Sequence, residues 1–200
     1  MPSSPSDRTT IRLPAACEQA LLERFLKAEA MALWAVRSAQ LQDVPPNVRL
    51  FLRKHEEDEQ DHLRRFESMV GHASHGRERL PAVPRQWPVL AVQLYGYESL
   101  GLEFAKLLAT LRPDLASILE DEETHVGFFE REIHKILCGD VVAADQAKVS
   151  ARAWWRKLPH TVERYLDGAA LIPFKGRLGK LMLHAIAQRF VAAGLLDSEC

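Results

Sequence analysis

Glutamate and histidine recur three residues apart at two places in this chain, Glu59/His62 and Glu122/His125, each within a run whose apolar residues fall at helical spacing. An α-helix turns once every 3.6 residues, so positions three apart project to the same side. Each pair therefore offers a carboxylate and an imidazole together, which is half of a metal site. With 17 glutamates and 8 histidines in 200 residues, chance supplies fewer than one such pair. Two pairs at matching places in two helical hairpins constrain the fold severely. They fit a four-helix bundle that grips two metal ions, with one further glutamate from each of the other two helices.

The rest of the chain divides accordingly. A first helix is predicted from about Ala15 to Leu41, with Leu22, Phe25, Glu29, Leu33 and Val36 on one stripe. The breaker Asp43-Val-Pro-Pro-Asn47 ends it, and Asn47 is a fair N-cap for a second helix running to Val70. Gly71 to Gln86 is rich in Gly, Pro and charge and lacks periodicity. Extended, its residues reach about 50 Å, enough to cross the length of a bundle. A third helix is predicted from Trp87 to Leu111. A turn at Arg112-Pro113-Asp114 follows, with Asp114 as N-cap of a fourth helix ending near Leu137. Beyond Gly139 come an amphipathic stretch at Ala143–Lys157, a short one at Thr161–Asp167 and a terminal helix at Lys175–Leu196. No segment alternates with period two for long enough to make a strand. The expected fold is all-α: residues 1–14 a disordered lead-in, 15–138 the bundle with a long crossover between its second and third helices, and 139–200 a helical extension packed on it.

Glu29 is the only acid in the middle of the first stripe. It precedes Glu59 by thirty residues with the Val44-Pro45 turn almost midway, so folding back at the turn brings the two to one height. The third helix offers Glu98 and Glu103. Glu98 has Ala91, Leu94, Leu102 and Ala105 around it on a helical projection, which favours an inward side chain. Mirror symmetry about the Arg112-Pro113 turn favours Glu103 instead; both stay open here, with the helix face weighted above the height. The expected metal set is Glu29, Glu59, His62, Glu98, Glu122 and His125. Four carboxylates buried together would repel, each desolvated at a cost of roughly several kcal/mol, unless cations compensate them. With no thiolates in the set, iron or manganese suits it better than structural zinc. Glu56, Glu57, Asp58, Glu120, Asp121 and Glu123 read as solvated. His55, one turn before Glu59, reads as a partly buried histidine at a bundle end, with a hydrogen bond to a ligand carboxylate as the alternative. Tyr97 reads as a core tyrosine.

Basic and acidic residues number 26 and 27, so no overall field draws the chain to nucleic acid or an anionic membrane. No run of eighteen apolar residues predicts a membrane span. The Ser/Pro-rich start lacks the apolar core of a signal peptide, and Cys17, Cys138 and Cys200 form no C-x-x-C, so a reducing cytoplasm is the default compartment. Trp154-Trp155 among Arg152, Arg156 and Lys157 reads as a solvated face, with contact to RNA or an anionic substrate as the alternative.

In this order, the residues resemble the ferritin-like superfamily of non-haem di-iron proteins over about residues 15 to 138. Within it, Glu98-Ser-Leu-Gly-Leu-Glu103-Phe-Ala looks like the third-helix motif of the tRNA-modifying di-iron hydroxylases acting on methylthio-isopentenyl-adenosine, which also place two glutamates five apart. That likeness makes Glu98 the ligand. It covers the helical motifs alone: the turn after the third helix is shorter here and the tail differs. The resemblance implies two iron ions, dioxygen or peroxide activation and an external electron donor. The expected function is oxidation or hydroxylation of a small organic or modified-nucleoside substrate. The alternatives are iron handling or peroxide scavenging, or a metal-free binding module. The extra C-terminal helices would roof a substrate pocket or form a homodimer interface.

Overall fold

The structure, a computed structural model, describes residues 13–71 and 82–197. Among these there is no strand, and six α-helices carry the fold: α1 (Glu18–Gln40), α2 (Pro46–Val70), α3 (Trp87–Leu111), α4 (Ala116–Cys138), α5 (Val141–Tyr165) and α6 (Lys175–Ala192). Most of the expected lead-in, 1–12, and most of the expected crossover, 72–81, lie outside the described residues.

Several helix ends differ from the sequence expectation. Asn47 is not an N-cap: α2 starts at Pro46, whose fixed φ suits a first helical position, and the Asn47 amide donates to Glu132 of α4 at 2.9 Å. Asp114 does not cap α4 either. It sits in the short 3-10 turn Pro113–Leu115, and both its oxygens accept from Arg112, at 2.8 and 2.6 Å. α5 is one helix where two stretches were expected, because it continues through Pro159. That residue is exposed, so the carbonyl its ring leaves unpaired has access to water. Asp140 starts α5 with a side-chain cap from the Ala143 N–H at 2.9 Å. The terminal helix ends at Ala192, short of Leu196: Gly194 takes φ +75° and lets the Leu195 N–H reach back to the Phe190 carbonyl at 2.9 Å.

Cross-helix pairs fix the helix directions. Arg37 meets Glu56 and Glu29 meets His62, so α1 and α2 are antiparallel. Tyr95–Glu130 and Glu98–His125 make α3 and α4 antiparallel. Phe25–Phe104 with Glu18–Arg112 does the same for α1 and α3, and Asn47–Glu132 with His62–Asp121 for α2 and α4. α2 and α3 therefore run parallel. The end of α2 and the start of α3 stand at opposite ends, about a helix length of 37 Å apart for 25 residues.

α5 and α6 pack on the outer side of α3 and α4. The contact needs Gly96: a Cβ there would lie 2.3 Å from the Trp154 ring, so glycine lets the indole rest on the α3 backbone. Trp154 also stacks on Phe190 (5.1 Å), and Phe190 on Tyr95 (5.0 Å). Trp154 is thus a packing residue, while Arg152, Arg156 and Lys157 beside it are exposed. Among the described residues no helix is long and apolar enough to cross a membrane.

Candidate metal centre

α1–α4 each aim acidic or imidazole side chains at one level of the interior. Aromatic layers close that level from both ends. On one side Phe25 packs against Phe66 at 4.8 Å and Phe104 at 6.4 Å. On the other, Phe51 stacks on Phe128 at 3.6 Å and meets Phe129 edge-on. The layers keep bulk water out, so charges between them interact strongly.

Between them lie Glu29, Glu59, His62, Glu98, Glu122 and His125, none more than 3 % exposed. These are the six residues singled out by spacing. Glu98 is in and Glu103 is out: Glu103 pairs with Lys106 at 2.7 Å and lies 3.8 Å from Arg189 of α6. The six, joined by His55, form two overlapping groups. Glu29, Glu59, His62 and Glu122 make one; His55, Glu59, Glu98 and His125 make the other. Within each, one donor atom per residue lies within 4.8 Å of every other. Glu59 belongs to both.

Nitrogen and oxygen orientation suits cations. His62 Nδ1 faces Glu29 (3.4 Å) and Glu122 (3.9 Å), and His125 Nδ1 faces Glu98 (3.5 Å) and Glu59 (3.6 Å). Both Nδ1 atoms, with Glu29 Oε2 and Glu59 Oε2, are buried without a hydrogen-bond partner. Buried polar atoms rarely stay unpaired, and a metal ion would satisfy all of them at once. The residues fit a pair of metal ions; which metal is a matter for experiment.

Three residues escaped the sequence reading. Asp58 and Asp121, expected to be solvated, hold the far side of the imidazoles. Asp121 accepts from His62 Nε2 at 3.1 Å, and Asp58 from His125 Nε2 at 3.4 Å. Each aspartate thus serves the histidine of the opposite helix. With Nε2 turned to the aspartate, Nδ1 is the nitrogen aimed inward, the one a metal would take once it is deprotonated. A signal was present, since both motifs read Asp-Glu-x-x-His. His55 is the third. It was expected at a bundle end, with a hydrogen bond to a carboxylate of the set as the alternative; it is fully buried, and its Nε2 lies 3.0 Å from Glu59 and 3.3 Å from Glu98, in line with that alternative.

The electrostatics differ across the centre. Burial, then the charges of Glu59 and Glu122, push Glu29 well above the carboxylate range. Burial with Glu59 and Glu98 does the same to Glu122. Burial would raise Glu98 too, but the facing His55 and His125 hold it down, to about 2. His125 is pushed up to about 11, because Asp58 and Glu98 outweigh the burial that opposes its charge.

A cavity of about 30 Å³ opens beside Glu29, Glu98 and Glu122, lined also by Met31, Tyr97 and Tyr165. It lies on the α1/α3 side, opposite the imidazoles. Tyr97, expected in the core, is half-buried on this wall and accepts from the Gln93 amide at 2.9 Å. Gly101 makes room for Glu122: a Cβ there would lie 2.8 Å from Glu122 Oε2.

Against family models, curated proteins and solved structures the chain has no match, so its likeness to the di-iron families rests on the residues and geometry above.

Proposed function

We propose that the chain is a ferritin-like non-haem di-iron oxidoreductase that uses dioxygen to oxidise an organic substrate. The observation that carries this reading is the convergence of four carboxylates and three imidazoles between two aromatic layers, with inward nitrogen and oxygen atoms unpaired. Glu29, Glu59, His62, Glu98, Glu122 and His125 would hold the ions. Bound there, a pair of redox-active ions supplies the electrons and the oxidant. The chain's own side chains do the rest. Asp58 and Asp121 fix the imidazole tautomers, the aromatic layers exclude water, and the α1/α3 cavity leaves one side of the carboxylates reachable.

The cavity size favours a second reading. At about 30 Å³ it holds one or two water-sized molecules, so dioxygen or peroxide fits and an organic substrate requires movement of the Met31–Tyr165 wall. Iron handling or peroxide scavenging needs no such movement.

The test is iron content and oxygen consumption, with an added chemical reductant, in wild type and Glu59→Ala. Because Glu59 belongs to both groups, the expected result is two irons falling towards none, with oxygen uptake lost alongside. Equal iron in both proteins would break the assignment. Iron-dependent consumption of peroxide and reductant, without oxygen uptake, would move the function to the second reading.

A further inference from the structure

Resting on the di-metal reading, we infer that His55 is a direct ligand and that the two metal positions are chemically inequivalent. One has two imidazoles, His55 and His125, with Glu59 and Glu98. The other has one imidazole, His62, with Glu29, Glu59 and Glu122.

Symmetry of the motifs isolates the difference. Aligning Asp58-Glu59-x-x-His62 with Asp121-Glu122-x-x-His125 superposes Phe66 on Phe129, four residues after each histidine. Four residues before each glutamate, the counterpart of His55 is Ile118. Both are buried, at 0 % and 2 % exposed. Isoleucine fills that place on α4 with no polar atom, so packing alone does not call for an imidazole on α2. A fully buried histidine is costly unless its nitrogens are used, and since Nδ1 has no hydrogen-bond partner, Nε2 is the one available to offset that cost.

Position supports coordination. His55 Nε2 lies between Glu59 Oε1 and Glu98 Oε2, and its ring centroid is 3.8 Å from that of His125. The two rings thus lie side by side with nitrogens directed at the same pair of carboxylates. Phe51, at 5.5 Å, and Phe129, at 6.0 Å, hold the His55 ring from behind. Without a cation the same Nε2 makes hydrogen bonds to those oxygens; with one, the lone pair replaces the proton. Imidazole nitrogen suits Fe, Co, Ni and Zn, whereas carboxylate oxygen suits Mn. The His55 position therefore favours the former, and the Glu29 position accepts Mn more readily.

The test loads the whole chain with Co(II) alone. Crystals of the loaded wild type should show two ions, one with His55 Nε2 at a bonding distance of roughly 2.0–2.2 Å. Two ions with His55 still on the carboxylates would overturn the inference while leaving the di-metal reading intact. No ion at all would sink both. In solution, His55→Phe keeps a ring between Phe51 and Phe129; its fold is checked by helical circular dichroism. It should weaken one cobalt equivalent by more than about 100-fold, the upper end for a residue that only orients a ligand, and spare the other. Equal weakening of both, or a loss of about 100-fold or less, would also overturn it.

Discussion

The two halves of the centre neutralise their carboxylates by different means. Around Glu29 and Glu122, burial and mutual repulsion raise both acids, which favours their neutral, protonated forms in the metal-free chain. Around Glu98, His55 and His125 supply positive charge, and the carboxylate stays ionised. One histidine in place of the apolar Ile118 counterpart separates a proton-balanced half from a charge-balanced half. Near-symmetric motifs in one helical core therefore need not give equivalent sites.

The largest effect expected from that difference comes from removing charge without changing shape. Glu98→Gln in the metal-free chain removes one of the anions facing His55 and His125, with Glu59 and Asp58 left beside them, and breaking a buried pair costs up to roughly 3–5 kcal/mol. Glu29→Gln puts a near-isostere in place of a carboxyl group whose neutral form burial already favours, so its cost stays below about 1.5 kcal/mol, the range of a well-matched swap. Urea unfolding of both chelator-treated variants measures the gap. Equal losses would mean that the halves are balanced alike.

Next in size are the two aspartates. Asp58→Asn and Asp121→Asn each disturb a histidine on the opposite helix, and such changes typically reduce metal affinity by about 10–100-fold. The crossed arrangement makes the outcome specific. Asp58→Asn should weaken the position that contains His125, and Asp121→Asn the one that contains His62, as read by Co(II) titration. Weakening of the histidine in the same helix would contradict the pairing.

What was legible in the sequence was what one helix determines by itself. Glu59/His62 and Glu122/His125 stand out because both members of each pair share a helix face. Glu98 was weighted above Glu103 because its neighbours on the projection are apolar, while the symmetry about the turn kept Glu103 open. His55, Asp58 and Asp121 were misread because their surroundings come from other helices. Phe129 and His125 of α4 pack against His55, and each aspartate finds its imidazole on the opposite helix. Asn47 and Asp114 look like caps by local preference, yet Glu132 and Arg112 claim their side chains. Tertiary partners overrode local propensity in four of the five cases; Arg112, two residues before Asp114, is a local partner. The break expected within α5 failed for a simpler reason: an exposed proline can be carried by a helix whose other face is packed.

The smallest effect tests the cavity side. Three residues after each single glutamate, α1 has Ala32 and α3 has Gly101, so Gly101→Ala makes the two walls alike. The new Cβ would stand 2.8 Å from Glu122 Oε2, too close, but that atom ends a flexible side chain and can retreat by a fraction of an ångström. Overpacking costs about 1 kcal/mol at its low end, and alanine in place of glycine inside a helix returns about 0.5–1 kcal/mol. Global stability should therefore hardly change. Metal binding should still weaken several-fold at the Glu29 position, because Glu122 would be displaced from its place beside His62 while Glu98 and His55 are untouched. Thermal melting of the metal-free variant and Co(II) titration read the two quantities separately. A clear loss of melting temperature with unchanged cobalt affinity would show that Gly101 serves helix packing and not the carboxylate.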